Sequence, residues 1–529
     1  MKKNIILILA ASALVLGSCS KALDTVQQNV VERDTYYENA TDANAESLIA
    51  VIYREAYCLQ EPLYLQSLNT MADDGNTFST VTLTSANNNT NNYYAQYYRI
   101  NYLCNLIIDR LADDTAVKKQ VRGEAHFWRA WAYLNLIRGW GTPPLVDHVL
   151  ASDELQQGNA TQAELWAFVK ENLEEAIGRL PEKPVLGGQS QIGGRVTKAS
   201  AQALLGKACV LSGDYAGAVT VLGTVIDSGK YKLESDFGVL YHIGADFSDE
   251  YMWEFNASDA ASVNTYHEEG DTRINRLNWN TATVVVPGGL DSGAGAMMDV
   301  DKNLYDFFVN RGEAGKPRMK GTIWTYEDVL DRFVELGLAS NRNDAVSKFW
   351  MSGGVTGGQG YFRSKMLPMP EDIYDFPTFY ADDRRLKSNW PGMRYAEVLL
   401  LYAEACVQSG SHTAEGLQAL NEVRRRAGIS DAADLNLPLV KDEKRAELVF
   451  EGERFFDLVR WGDAPTVLAN RGLYNYRFRG YVKGSTTYDV EETAVPNAQG
   501  FRAGQDELFP FPYSEVLMSE GKLNQNQGW

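Results

Sequence analysis

Histidine is scarce in this 529-residue chain, five in all (His126, His148, His242, His267 and His412), and no HExxH or other paired spacing joins them. A structural zinc needs closely grouped imidazole or thiolate ligands, so none is expected. Cysteine is as rare. The four that follow Cys19 (Cys58, Cys104, Cys209 and Cys406) contain no CxxC and suggest no disulfide framework, although a single bridge stays open. Cys104 in "RINYLCNLIIDRL" and Cys209 in "AQALLGKACVL" fall in runs of helical spacing and read as small core residues. Runs of basic residues are missing, and a net charge of −19 with a pI of about 4.9 argues against nucleic acid or an anionic membrane surface as partner. There is no GxSxG, no Walker A and no GxGxxG opening a helix. Beyond the N-terminus no apolar run approaches the roughly 18 residues that a membrane span requires.

What is present begins with "MKKNIILILAASALVLGSCS". Lys2 and Lys3 precede an apolar stretch, Ile5 to Leu16, which is too short to cross a bilayer and reads as an export signal. Leu16-Gly17-Ser18 then meets Cys19, a pattern that resembles a bacterial lipobox. Cleavage before Cys19 and acylation of its thiol would anchor the mature chain to a membrane without crossing it. The bland alternative is ordinary secretion with Cys19 as a stray thiol.

Hydrophobic residues make up 45% of the chain, enough for a large core, and 28 tyrosines and 11 tryptophans raise the question of binding platforms. Helical patterns dominate both ends. Val121 to Gly141 is apolar almost all round, as a buried helix is, and stops at glycine ahead of Pro143-Pro144. "TQAELWAFVKENLEEAIGRLP" has a cap at Thr161 and a stop at Pro181. "TKASAQALLGKACVLSGDYAGAVTVLGTVIDSG" reads as two helices around a Ser212-Gly213-Asp214 turn, similar to a tetratricopeptide repeat. A second pair, "RYAEVLLLYAEACVQSG" and "TAEGLQALNEVRRRAG", comes so much later that the array is expected to be interrupted. From about Glu234 to Asn389 glycine, asparagine and aromatics take over, and loops or short β segments are expected rather than long helices. "SANNNTNNYY" (Ser85 to Tyr94) reads as a smaller loop.

The densest charge is "ELVFEGERFFDLVRWG", Glu447 to Gly462. On one continuous helix, Glu447, Glu451 and Arg454 share an arc flanked by Phe450 and Trp461. Carboxylates stacked on one face do not span a scissile bond, and a neighbouring arginine lowers a carboxyl pKa where a general acid needs it raised. The packet is therefore read as a partly buried ion-pair scaffold with Arg454 beside Glu451. "HEEGD" (His267 to Asp271) lacks a second ligand motif. "DVDKN" (Asp299, Asp301, Asn303) mimics a calcium loop but carries Leu304 where glycine belongs and Asn310 where glutamate belongs. A solvated loop is preferred over a loose calcium site.

In combination these motifs resemble the SusD/RagB family of Bacteroidetes outer-membrane lipoproteins. The lipobox, "ADDGN" (Ala72 to Asn76), "RGEAHFWRAWAYLNLIRGWGTPPLV", "GRVTKASAQALLGKACVLSGDYAGAV", "RYAEVLLLYAEA", "ALNEVRRRAG", "ELVFEGERFFDLVRWG" and "LFPFPYSEVLMSEGKLNQNQGW" occur in the family's order. The resemblance implies a mainly α fold, a tetratricopeptide-like helical body with a loop-rich region mounted on it. It divides the chain into a signal (1–18, removed), an N-terminal helical part (19–230), a variable region (231–390) and a C-terminal helical part (391–529). It implies a non-enzymatic protein without cofactor or metal, which binds oligosaccharides at the cell surface and serves a SusC-type TonB-dependent transporter. A peptide-binding branch of the family is the alternative. A surface glycosidase would need two carboxylates facing each other across a cleft, and a pure scaffold would leave the loop aromatics unused.

Sugars offer apolar C–H faces edged with hydroxyls, so a site should pair an aromatic platform with amide or carboxylate groups. Two stretches qualify. One is the early loop with Asn91, Tyr93 and Tyr94, just before a helix holding Tyr97 and Asn105. The other is the variable middle with Trp279, Trp324, Tyr326 and Trp350. Of these, Trp324 in "GTIWTYEDV" is the strongest single choice.

Overall fold

A computed structural model describes residues 33–60, 71–75, 88–257, 300–335, 337, 339–349, 355–356, 358–366, 369–372 and 388–529. Cys19, Trp279 and Trp350, with the "HEEGD" run, lie outside them. In chain order the helices that matter are α1 (Asp42–Gln60), α2 (Asn88–Arg110), α3 (Ala116–Trp140), α4 (Gln162–Arg179), α5 (Lys198–Leu211), α6 (Tyr215–Asp227), α7 (Lys302–Asn310), α8 (Pro317–Lys320), α9 (Tyr326–Glu335), α10 (Tyr395–Ser409), α11 (Thr413–Arg426), α12 (Leu437–Leu448), α13 (Arg454–Arg460) and α14 (Tyr513–Met518). Short strands intervene: β1 (Tyr251–Phe255) pairs antiparallel with β5 (Trp390–Arg394), and β2 (Ile323–Thr325) with β4 (Tyr361–Arg363). β6 (Tyr474–Tyr481) lies between β3 (Val355–Thr356) and β7 (Tyr488–Ala494).

Local chemistry sets the helix ends. Thr115 caps α3, which starts five residues ahead of the expected Val121, by accepting from Lys118 N, and Gly141, at φ 75°, lets the chain leave it where the sequence pattern predicts. Thr161 and Glu164 form a reciprocal capping box at the start of α4. Asp301 caps α7, so the "DVDKN" motif from Asp301 onward is a helix start and not a loop, while Asp299 lies outside the described residues.

The repeat-like pairs come together in space. α3 packs on α4, α4 on α5, α5 on α6, α6 on α10 and α10 on α11. The array that looks broken in sequence is therefore continuous in three dimensions: α6 and α10 are neighbours, and the chain between them is an excursion. Gly206 makes one contact possible, since a methyl group there would collide with the side chain of Leu222 on α6. A single hydrophobic core draws on residues from Tyr37 to Leu523. A smaller one (Val300, Leu304, Phe308, Met319, Ile323, Tyr361, Ala446, Val449 and Phe450) binds the excursion to the body. The excursion is more helical than its composition suggests, because α7 and α8 bury Leu304, Phe308 and Met319 in the smaller core and α9 buries Val329, Leu330 and Phe333 on one face. "SANNNTNNYY" is corrected as well: from Asn88 onward it is the first turns of α2. Among the described residues no helix is long and apolar enough to cross a membrane, and no disulfide joins Cys58, Cys104, Cys209 and Cys406.

Candidate functional site

The packet around Glu447 is not one helix. α12 ends at Leu448, the chain turns through Phe450 (φ 67°) and Gly452 (φ 80°), and α13 begins at Arg454. The three glutamates therefore reach different sets of partners, with Arg394 shared between Glu447 and Glu451. Glu447, fully buried, takes Arg394 Nη1 at 2.9 Å and Arg318 Nη1 at 3.3 Å and also pairs with Arg426. Glu451 holds Arg394 and Lys365. Glu453 holds Arg138 at 2.8 Å and Lys207 at 3.0 Å. Arg454 does not reach Glu451. It grips Asp73 of the "ADDGN" turn through two bonds of 2.8 and 3.1 Å, tying the early turn to the C-terminal part.

Burial alone would raise the Glu447 pKa, but Arg426, Arg394, Arg318 and Lys365 outweigh it and hold the carboxyl at about 2. Burial brings the Lys365 ammonium down to about 8, against the pull of Glu451. Each of the three glutamates is paired with at least two cations, which marks the packet as an ion-pair lattice.

The early aromatics are also structural. Tyr94 is 4% exposed, with Trp140, Tyr98 and Phe511 around its ring, and Tyr97 is fully buried beside Trp131. Because this stretch is helix rather than loop, consecutive residues diverge by about 100°. Tyr94 turns inward as core, while Tyr93 and Asn91 stay half-buried. Asn105 is a buried girder that donates to Val146 O and His148 O and accepts from Arg129.

The variable middle separates its two described candidates. Tyr326 is 1% exposed and packs edge-on or tilted against Phe478, Tyr481 and Tyr488, so it joins β6 and β7 to α9 and offers no platform. Trp324 behaves differently. On β2, Ile323 faces the smaller core and Trp324, one residue on, takes the opposite side and stays half-buried.

Trp324 lines an open cleft of about 610 Å³, within the usual range for ligand sites, ~300–1,000 Å³. One wall is the polar face of α9: Asp328, Asp331, Arg332 and Glu335. Their spacing of three and four residues places them on one side, opposite Val329, Leu330 and Phe333 in the core. The other wall is the 238–244 loop together with Met369 and Glu371. Asp372, fully buried, fixes that wall: it accepts from Ile243 N at 2.8 Å and Met369 N at 2.8 Å and meets His242 Nδ1 at 2.6 Å. Gly321 lets the loop approach, since a Cβ there would press on Phe237 at 2.8 Å. The α9 acids and Glu371 were not singled out from sequence, although the alternation of "YEDVLDRFVE" announces an amphipathic helix with one polar face.

Among the described residues no group of three or more histidine, cysteine and acidic side chains is placed to hold a metal ion. The cleft supplies an indole, several carboxylates, one guanidinium and an imidazole. That set can stack on an apolar face and hydrogen-bond hydroxyls around it.

Known proteins resemble the chain along nearly its whole length. The profile described as "SusD family" matches residues 292–529, and one described as "Starch-binding associating with outer membrane" matches residues 21–209. The chain belongs to the SusD family. A SusD-like protein of Bacteroides ovatus is 23% identical, over 98% of this chain and 96% of its own length. A SusD-like protein of Formosa agariphila is 24% identical over 83% and 80%. Among solved structures, a laminarin-binding SusD-like protein superposes with a TM-score of 0.69 at 22% identity, covering 92% of this chain and 99% of the other. Surface glycan-binding protein A from Bacteroides thetaiotaomicron, in complex with laminarihexaose, gives 0.66 at 21% identity, covering 92% and 100%. The helical SusD fold is thus shared, and association with the outer membrane goes with the second profile.

Proposed function

We propose that this SusD-family protein captures oligosaccharides at the cell surface and passes them to a SusC-type TonB-dependent transporter. The observation that carries the reading is the Trp324 cleft: a half-buried indole at the mouth of an open, polar-walled groove, held by α9 on one side and by the Asp372-anchored loop on the other. Laminarin binding by one structural relative and a laminarihexaose complex of another support glycan as the ligand class. The role is binding rather than hydrolysis. Cys19 is the lipidated residue, which tethers the body to the outer membrane and leaves the cleft accessible from outside. Tyr93 and Asn91, half-buried on α2, remain candidates for a secondary contact.

Affinity electrophoresis of purified protein in gels containing neutral polysaccharides tests the reading. Wild type should be retarded, and Trp324→Ala should lose about 1–3 kcal/mol of binding with little change in melting temperature, as expected for one lost aromatic anchor. Retardation unchanged by Trp324→Ala would place the ligand elsewhere.

A further inference from the structure

The charge of the cleft narrows the ligand class. Resting on the reading above that the cleft binds a glycan, we propose that it selects uncharged oligosaccharides and rejects uronate- or sulfate-bearing ones. Among the described residues its lining holds four carboxylates, Asp328, Asp331, Glu335 and Glu371, against a single guanidinium, Arg332. All four carboxylate residues are exposed to solvent. The cationic side is already engaged: Arg332 lies 3.3 Å from Glu335 and donates to the Met369 sulfur at 3.5 Å, and His242 is held by Asp372. An anionic sugar entering here would meet more carboxylates than cations among the described residues, with Asp328 and Glu371 facing no cation and Arg332 already beside Glu335.

Acceptors, by contrast, are plentiful. Only the Oδ2 atom of Asp328 is used, to accept from Thr325 N and Oγ1 at the start of α9. Asp331 makes only a 3.5 Å approach to Arg342 at the surface. A carboxylate accepts hydrogen bonds and donates none. It therefore matches the hydroxyl hydrogens of a neutral sugar and cannot serve a carboxylate or sulfate oxygen. Trp324 supplies the complementary apolar contact. The protein's overall charge of −19 acts in the same direction at longer range.

Titration calorimetry at low salt with laminarihexaose, maltohexaose and cellohexaose on one side and hexagalacturonate on the other tests the proposal. At least one neutral hexamer should bind ten times or more tighter than hexagalacturonate. Raising salt to about 0.5 M should narrow that ratio, because exposed like charges are screened. The Asp331→Asn, Glu335→Gln, Glu371→Gln triple variant should narrow it as well. The ratio is the readout, not the absolute affinity. Hexagalacturonate binding as tightly as every neutral hexamer, a ratio indifferent to both salt and the triple variant, or no neutral hexamer binding at all would each overturn the proposal. Trp324→Ala separates the two claims: if it releases the ligand while the ratio stays flat, the cleft is the site and the selectivity is wrong. If it leaves a neutral hexamer bound, the site reading fails and this inference falls with it.

Discussion

The packet around Glu447 and the cleft beside Trp324 both gather glutamates, aspartates and arginines next to aromatic rings, yet they do opposite things with them. In the packet Arg394 and Glu447 are at most 1% exposed, and each contacts several charges of the opposite sign. In the cleft the acids stand in water with one lone pair or more unspent. Charge density alone therefore does not mark a binding site in this molecule, and the proposed site rests instead on open hydrogen-bonding capacity at an accessible surface. The packet joins segments far apart in the chain: Glu250 begins the path into β1, Arg394 ends β5, and Arg426 closes α11. Such a lattice fixes how the helical array meets its excursion, and the excursion then presents the cleft.

The largest expected effect breaks this lattice. Arg394→Leu leaves Glu250, Glu447 and Glu451 short of a partner inside the protein, and removal of one member of a buried ion cluster costs about 3–5 kcal/mol. Arg454→Leu should cost less, because Arg454 is partly accessible and Asp73 keeps Arg445 at 2.9 Å. Urea denaturation orders the two. If Arg454→Leu proves the more damaging, the latch onto the early turn outranks the lattice, and the contrast drawn here is misplaced.

Much of this was legible in the sequence, and the misses share a cause. Helix periodicity, with the cap at Thr161 and the stop at Gly141, is local chemistry, and it locates α3, α4 and α5. The contact of α6 with α10 depends on where a long excursion leaves and returns, which no local pattern encodes. The break was hidden because a wheel assumes one helix, whereas the chain leaves the helix at Val449 and turns through positive φ at both Phe450 and Gly452. Trp324 and Tyr326 look alike in sequence, two aromatics two residues apart. They differ because the strand ends between them: Trp324 turns outward on β2, whereas Tyr326 starts α9 and sinks against Phe478. The acids of α9 form one polar stripe, but no stripe says what faces it until the 238–244 loop is in place.

A smaller, pH-dependent effect sharpens the comparison at the base of the excursion. Burial pushes Glu254 up to about 7, although Phe247 N and Asn389 pull the other way. Burial likewise pushes Asp246 up to about 6. Asn389 bridges them, donating to Asp246 Oδ1 at 2.8 Å and Glu254 Oε2 at 3.1 Å. A carboxyl whose folded pKa is raised binds its proton more tightly when folded, so its penalty appears as pH rises from the unfolded value toward 7 and is relieved on acidification. Glu447 has the opposite sign: its stabilisation is present above its unfolded value near 4.5 and is lost as pH falls toward 2. Stability should therefore rise from pH 8 to about pH 5 and fall steeply below 4. Glu254→Gln should flatten the upper limb while leaving the acid limb unchanged. An upper limb that persists in Glu254→Gln would locate the proton uptake elsewhere.

The smallest effect belongs to the cleft's own ion pair and puts the contrast to its most direct test. Arg332 and Glu335 approach to 3.3 Å, but their side chains are 30% and 65% exposed. At that exposure water solvates both ions when the pair is broken, and such pairs contribute roughly 0–1 kcal/mol. Glu335→Gln keeps the shape, removes the charge and leaves Arg332 its contact with the Met369 sulfur. The melting temperature should move by no more than a degree or two, against a collapse for Arg394→Leu, although each substitution removes a single charge. A loss in Glu335→Gln comparable to that in Arg394→Leu would mean that the α9 face is as tightly spent as the packet. The cleft would then have no free valence to offer a sugar.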